Sequence, residues 1–289
     1  MQINPSNKPI ITIVPVGKYK FKITETIMAF GDRIISHTFK IGGDYDNCIS
    51  VSYTYNNNKP VSATIPHALY EPECSTENPL EKGEGTVIML KTLLKHVYSK
   101  IPTIHIFSFD DMSNIDCVEK DLKKSIPRSP TKPLNLAYFS IAYNSETWYE
   151  KQFNAKMTNS SKYTKYKKSL EFLTDPTAKL DFIKFLEITK PNETDYKYLE
   201  SVYNKSKTYR EFFEAIPKTK RCDILFNWLT SFMEYYLKNI YSPKDWEIDI
   251  LEMNTTVGGS KGSKGSKGSK SEAYPKKYRL VEFRRRDMM

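Results

Sequence analysis

The tetrapeptide Gly83-Glu84-Gly85-Thr86, placed directly before a helical stripe of apolar residues, constrains this chain more than any other feature. Val87, Leu90, Leu94 and Val97 recur at helical spacing with Leu93 beside them, which predicts a helix from Thr86 with one face packed on a sheet. The first amides of a helix have no intrahelical partners and carry the positive end of its dipole. Glycines just upstream let an anionic group reach those amides, so the segment suits a pyrophosphate. A tight turn that merely precedes a helix uses the same glycines, and the motif alone does not separate the two readings.

The segments upstream read as strands. Tyr19, Phe21 and Ile23 alternate with polar residues, Ile34 to Ile41 forms a second run, and Ile49, Val51, Tyr53 and Tyr55 alternate in a third. Asn56-Asn57-Asn58 supplies a turn into Val61, Ala63 and Ile65, so Cys48 to Pro66 is expected to be a hairpin. Thr103 to Phe109 predicts another strand, ended by Asp110-Asp111. The apolar run Leu134 to Tyr143 is read as a later strand, and Glu146 to Phe153 as a short helix.

From about Ser160 to Ile240 the apolar period becomes helical, punctuated by Pro176, Pro191 and Pro217. Trp228 is expected to be buried there, on one helical face with Leu225, Leu229 and Phe232. The aromatic stretch Tyr209 to Pro217 reads as core or as a docking surface. Trp246 to Met253 and Tyr278 to Phe283 alternate again, separated by Gly258-Gly259 and Gly/Ser-Lys units with the composition of a solvated linker. They form either a strand pair or a basic tail. The expected fold class is α+β, with a mixed sheet and flanking helices over residues 1–158, a helical region over 159–245 and a final segment over 246–289.

A chain of 289 residues can bury a substantial core. It has no apolar run of the roughly 20 residues that cross a bilayer, and Met1 to Pro5 lacks the blocks of a signal peptide, so an intracellular, cytoplasmic location without membrane association is expected. Cys48, Cys74, Cys117 and Cys222 show no metal-ligand spacing and read as free thiols. Of the net charge of +10, more than half lies beyond Leu251, where ten Lys or Arg residues face four acids. The basic stretch 261–286 suits nonspecific contact with nucleic acid or an acidic protein, and serves solubility equally well.

The order of elements, with Gly83-Glu84-Gly85-Thr86 and Trp148-Tyr149-Glu150-Lys151-Gln152-Phe153, resembles the GCN5-related N-acetyltransferase family over residues 15 to 158. That family's central motif is Arg/Gln-x-x-Gly-x-Gly/Ala, and its late helix often carries Tyr-Glu-Lys before Gly-Phe. Here Leu80 stands at the Arg/Gln position and Gln152 at the late glycine. The composition and the strings Phe109-Asp110-Asp111-Met112-Ser113 and Trp148-Tyr149-Glu150-Lys151 are also similar to acetyltransferase-like proteins of large DNA viruses, which adds the virion as a location.

The resemblance implies acetyl-coenzyme A as cofactor, its pyrophosphate held by the backbone of Gly83, Glu84, Gly85 and Thr86. It implies transfer of the acyl group to an amine, with Glu71 or Glu73 accepting the amine's proton, Tyr149 protonating the departing thiolate, and Asn144 touching the pantetheine arm or capping a helix. The same residues have plain structural readings: Glu71-Pro72-Glu73 as an exposed loop and Tyr149 as a buried core residue. A catalytically silent relative, serving as a structural or interaction protein, is the alternative function. No metal site is expected: Asp110, Asp111 and Asp116 read as a solvated loop, and His37, His67, His96 and His105 are isolated in sequence.

Overall fold

The structure is a computed structural model that describes residues 9–31, 33–45, 47–115, 134–217 and 220–255. In chain order its elements are β1 (Ile10–Val16), β2 (Tyr19–Phe30), β3 (Arg33–Gly42), β4 (Ile49–Asn56), β5 (Lys59–Ala68), α1 (Glu84–Lys100), β6 (Ile106–Phe109), β7 (Asn114–Ile115) and β8 (Leu134–Asn135). There follow α2 (Leu136–Asn144), α3 (Trp148–Phe153), β9 (Lys156–Met157), α4 (Ser160–Ser169), α5 (Phe182–Thr189), α6 (Tyr196–Lys205), α7 (Tyr209–Ala215), α8 (Arg221–Leu225), α9 (Leu229–Leu237), β10 (Trp246–Asp249) and α10 (Ile250–Thr255). The fold is α+β with a large mixed sheet, and no described helix is long and apolar enough to cross a membrane.

Two compact units interleave along the chain. The first takes the residues up to Asp110, Gln152–Ala155 and the segment from Asp245; the second takes Asp111–Lys151 and Lys156–Lys244.

In the first unit β1 to β5 form an antiparallel meander, β6 lies parallel to β5, and β10 pairs antiparallel with β6. Alternation sets the buried face: Tyr19, Phe21 and Ile23 of β2, Phe39 and Ile41 of β3, and Ile49, Val51 and Tyr53 of β4 are all buried. Helix α1 turns Met89, Leu90, Leu93, Leu94 and Val97 inward, and it packs against β3 and β4. The β4–β5 turn uses Asn57 and Asn58 at φ 49° and 60°, the left-handed region that a two-residue hairpin requires and that asparagine tolerates. Strand β1 was not apparent in the sequence, because Ile-Ile-Thr-Ile-Val-Pro-Val is apolar on both faces rather than alternating.

Cys48 and Cys74, read as free thiols, form a disulfide with Cα atoms 6.0 Å apart, which ties the start of β4 to the turn after β5. Helix α1 starts at Glu84, two residues ahead of the expected Thr86, because Gly83 at φ 85° takes the N-cap position. The alternation from Trp246 persists only to Asp249, where α10 begins, and β10 finds its partner in β6. Tyr278–Phe283, the Gly/Ser-Lys repeat, Asp116 and Cys117 lie outside the described residues.

The second unit is helical from Ser160 to Leu237, as the period predicted. Its core is aromatic: Phe185, Tyr203, Tyr209, Phe212, Phe213, Trp228 and Phe232 are buried, with rings such as Phe185 and Trp228 edge to face at 5.2 Å. The stretch Tyr209 to Pro217 is thus core rather than a docking surface. Trp228 is 1 % exposed, yet it stands at the N-cap of α9 instead of within a helical face. The run Leu134 to Tyr143, read as a strand, becomes helix α2 after two residues, since the Asn135 side chain accepts from the Tyr138 N–H and starts a helix. A continuous apolar run carries no period with which to tell the two apart.

Candidate functional site

The cradle expected at Gly83–Thr86 sits at the start of α1, in the first unit. Gly83 is open: no heavy atom lies within 4 Å of where its Cβ would be, and its positive φ alone explains the glycine. Gly85 is closed. A Cβ there would come within 2.9 Å of Leu80 Cγ and Cδ1 and 3.4 Å from the Tyr19 hydroxyl, so the missing side chain makes room for Leu80, itself 2 % exposed. Glu84 places a carboxylate in the first turn of α1, stabilising the helix dipole and opposing a phosphate at the same amides. Thr86 is buried, and its hydroxyl has no hydrogen-bond partner among the described residues.

Glu71 and Glu73 lie on the turn after β5, in the same unit. The Glu71 carbonyl accepts from Cys74 N–H at 3.1 Å and the Glu73 carbonyl from Tyr45 N–H at 3.2 Å. The turn is further pinned by the Cys48–Cys74 disulfide and by Gly43, where a Cβ would fall 2.5 Å from the Glu73 carbonyl oxygen. The Glu73 side chain faces solvent and that of Glu71 is partly exposed.

Tyr149 and Asn144 belong to the second unit. The amide group of Asn144 is engaged within its own neighbourhood, donating to the Ser140 carbonyl at 3.2 Å and accepting from Lys151 Nζ at 3.1 Å. The Tyr149 phenol is held above its ordinary range by burial, reinforced by the Asp111 carboxyl. A phenol so held is a weaker acid toward a departing thiolate. Asp111, expected in a solvated loop, is 1 % exposed, and burial pushes its carboxyl up to about 6 against the bonds it accepts from Ser113. Those bonds come from the Ser113 hydroxyl at 2.5 Å and its N–H at 3.5 Å.

Next to Tyr149, Glu150 forms a capping box with Thr147: its Oε2 accepts from Thr147 N–H at 2.7 Å while its own N–H donates to Thr147 Oγ1 at 3.1 Å. The same carboxylate accepts from the hydroxyls of Tyr166 at 2.9 Å and Tyr163 at 3.0 Å and from Lys167 Nζ at 3.1 Å. Tyr-Glu-Lys at 149–151 therefore has a structural purpose in this chain, since Glu150 joins the start of α3 to α4.

One polar constellation escaped the sequence reading. In the first unit His37 lies between Glu25 and Tyr55, with Nε2 2.9 Å from Glu25 Oε1 and Nδ1 2.7 Å from the Tyr55 hydroxyl. His37 is 6 % exposed, and the ring of Phe39 lies 4.6 Å away. The legible signal was parity, because Glu25 continues the buried-face positions Tyr19, Phe21 and Ile23 with a charge. Among the described residues no cluster of three His, Cys, Asp or Glu side chains could hold a metal ion. Comparison of the chain with family models, with curated proteins and with solved structures yields no match.

Proposed function

We propose that this chain is a catalytically silent protein of acetyltransferase-like plan, acting as a structural or interaction protein. The observation that carries this reading is Leu80 packed on Gly85, which accounts for the second glycine without a ligand. Glu84 at the α1 N-terminus, the pinned Glu71–Glu73 turn and the Tyr149 phenol held above its ordinary range all support it. The basic stretch 261–286, outside the described residues, supplies the contact with a polyanion in this proposal, so deleting Gly259 to Ser271 lowers nucleic-acid affinity and flattens its salt dependence. Calorimetric titration of the full chain with acetyl-coenzyme A tests the silent reading: no binding heat is expected.

The second reading is an acetyl-coenzyme A-dependent N-acyltransferase acting on an amine. It is favoured by the open Gly83 at the head of α1 and by the parallel β5–α1–β6 crossover, the one parallel strand pair in the first unit among the described residues. A binding heat that Gly85→Asp abolishes would establish this reading and overturn the first.

A further inference from the structure

Strand β1 ends the sheet, with β2 on one side and no described strand on the other. Its sequence, Ile-Ile-Thr-Ile-Val-Pro-Val, carries no charge, and Ile10, Ile11 and Ile13 are 54 %, 56 % and 47 % exposed. Edges that stay unpaired are blunted by charged side chains, above all lysine, as well as by proline. This edge keeps its isoleucines in water and has no charge to repel a neighbour.

The hairpin geometry tells which backbone groups are free. Val16 pairs with Tyr19 across the two-residue turn Gly17-Lys18, with Gly17 at φ 57°. The pair flanking such a turn is hydrogen-bonded, and bonded pairs recur at every second residue. Val16, Val14, Thr12 and Ile10 therefore direct their N–H and C=O groups at β2, whereas Ile11, Ile13 and Pro15 direct theirs outward. The side chains follow the same alternation, since Ile11, Ile13 and Pro15 are exposed and Thr12, Val14 and Val16 half-buried. Proline has no N–H, so the outward donors are those of Ile11 and Ile13, bracketed by Pro9 and Pro15.

We propose that β1 pairs antiparallel with β1 of a second copy of this chain about a two-fold axis, joining the two sheets into one. In the register that sets Ile11 opposite Ile13 of the other copy, each such pair exchanges two bonds, and every outward N–H finds a carbonyl. Pro9 then stands opposite Pro15 at both ends of the paired stretch, where the strands can part. Thr12 meets its own counterpart on the axis. Ile10, Ile11 and Ile13 gain Val14, Ile13 and Ile11 of the other copy as apolar cross-strand neighbours. The contact is self-complementary and uses up the edge, so it closes as a dimer instead of growing. Strand β1 has 7 residues, about a third of what each side of a standard interface contributes. That area makes the dimer one that fills with rising concentration. It stands under either reading of the function.

Sedimentation equilibrium of the full chain over a wide concentration range tests the pairing, and a monomer–dimer equilibrium is expected. Ile11→Lys combined with Ile13→Lys sets like charges directly opposite each other and should raise the dissociation constant about tenfold. Melting of the dilute chain should hardly change, because both side chains are exposed. Crosslinking reads the register. Thr12→Cys brings two thiols together in a non-hydrogen-bonded pair with Cα atoms about 4.5 Å apart, within the span that a disulfide bridges. Mild oxidation should link copies through it, whereas Val14→Cys, which faces Ile10 of the other copy, should link no more than the parent chain. A monomer at every concentration, a dimer indifferent to the paired lysine substitutions, assembly beyond the dimer, or equal crosslinking by Thr12→Cys and Val14→Cys would overturn the proposal.

Discussion

Gly85 lies so close beneath Leu80 that a methyl group added to it would meet the leucine side chain at 2.9 Å. The contact predicts a coupling between the two positions. Gly85→Ala should destabilise the native chain, because Leu80 must leave its buried seat, and should be neutral or stabilising once Leu80→Ala has vacated the space, where alanine's helix preference prevails. Unfolding of the two single variants and the double variant closes the cycle, with an expected coupling of about 1 kcal/mol. Additive effects would mean that Gly85 is needed for something other than Leu80.

Asp111 makes stability depend on pH in a direction opposite to that of a surface carboxylate. Its folded value of about 6 lies above the ordinary 3.8, so its contribution to stability is fully present below pH 3.8 and is lost as pH rises through about 6. Asp111→Asn keeps an oxygen for the Ser113 bonds and removes the buried charge. At pH 8 the variant should be more stable by about 2–3 kcal/mol, and the advantage should vanish near pH 4. Denaturant unfolding at several pH values measures it, and a pH-independent difference would contradict the burial of an ionisable carboxyl.

Cys48 and Cys74 close a loop across a sequence separation of 26 residues. Chain entropy alone assigns such a crosslink about 3–4 kcal/mol. Replacing both cysteines by serine should therefore lower stability by that order, and it should also loosen the Glu71–Glu73 turn, which proteolysis near residue 73 would report. A serine variant as stable as the parent and equally resistant would show that backbone bonds such as that from Tyr45 N–H to the Glu73 carbonyl hold the turn without the bridge.

Local chemistry makes much of this fold readable in the chain itself. Period two placed β2, β4 and β5, the run Ile34 to Ile41 placed β3, period 3.6 placed α1 and the helices beyond Ser160, and Asn56-Asn57-Asn58 marked the hairpin turn, because each pattern is written within a few neighbouring residues. The apolar segments β1 and α2 were missed or misread for the same reason, since an unbroken apolar run has no period. The site depended on partners far apart in the chain. Nothing in the spacing of Cys48 and Cys74 announced a disulfide, nothing in Asp110-Asp111 told which carboxylate would be buried, and His37 looked solitary until strand register set it between Glu25 and Tyr55. Sequence by itself determined which faces are apolar and where helices and strands arise, since those follow from local sterics and from side-chain hydrophobicity. Only the tertiary structure decided that Leu80 fills the space over Gly85 and that β1 ends the sheet, since such placements depend on how whole elements pack.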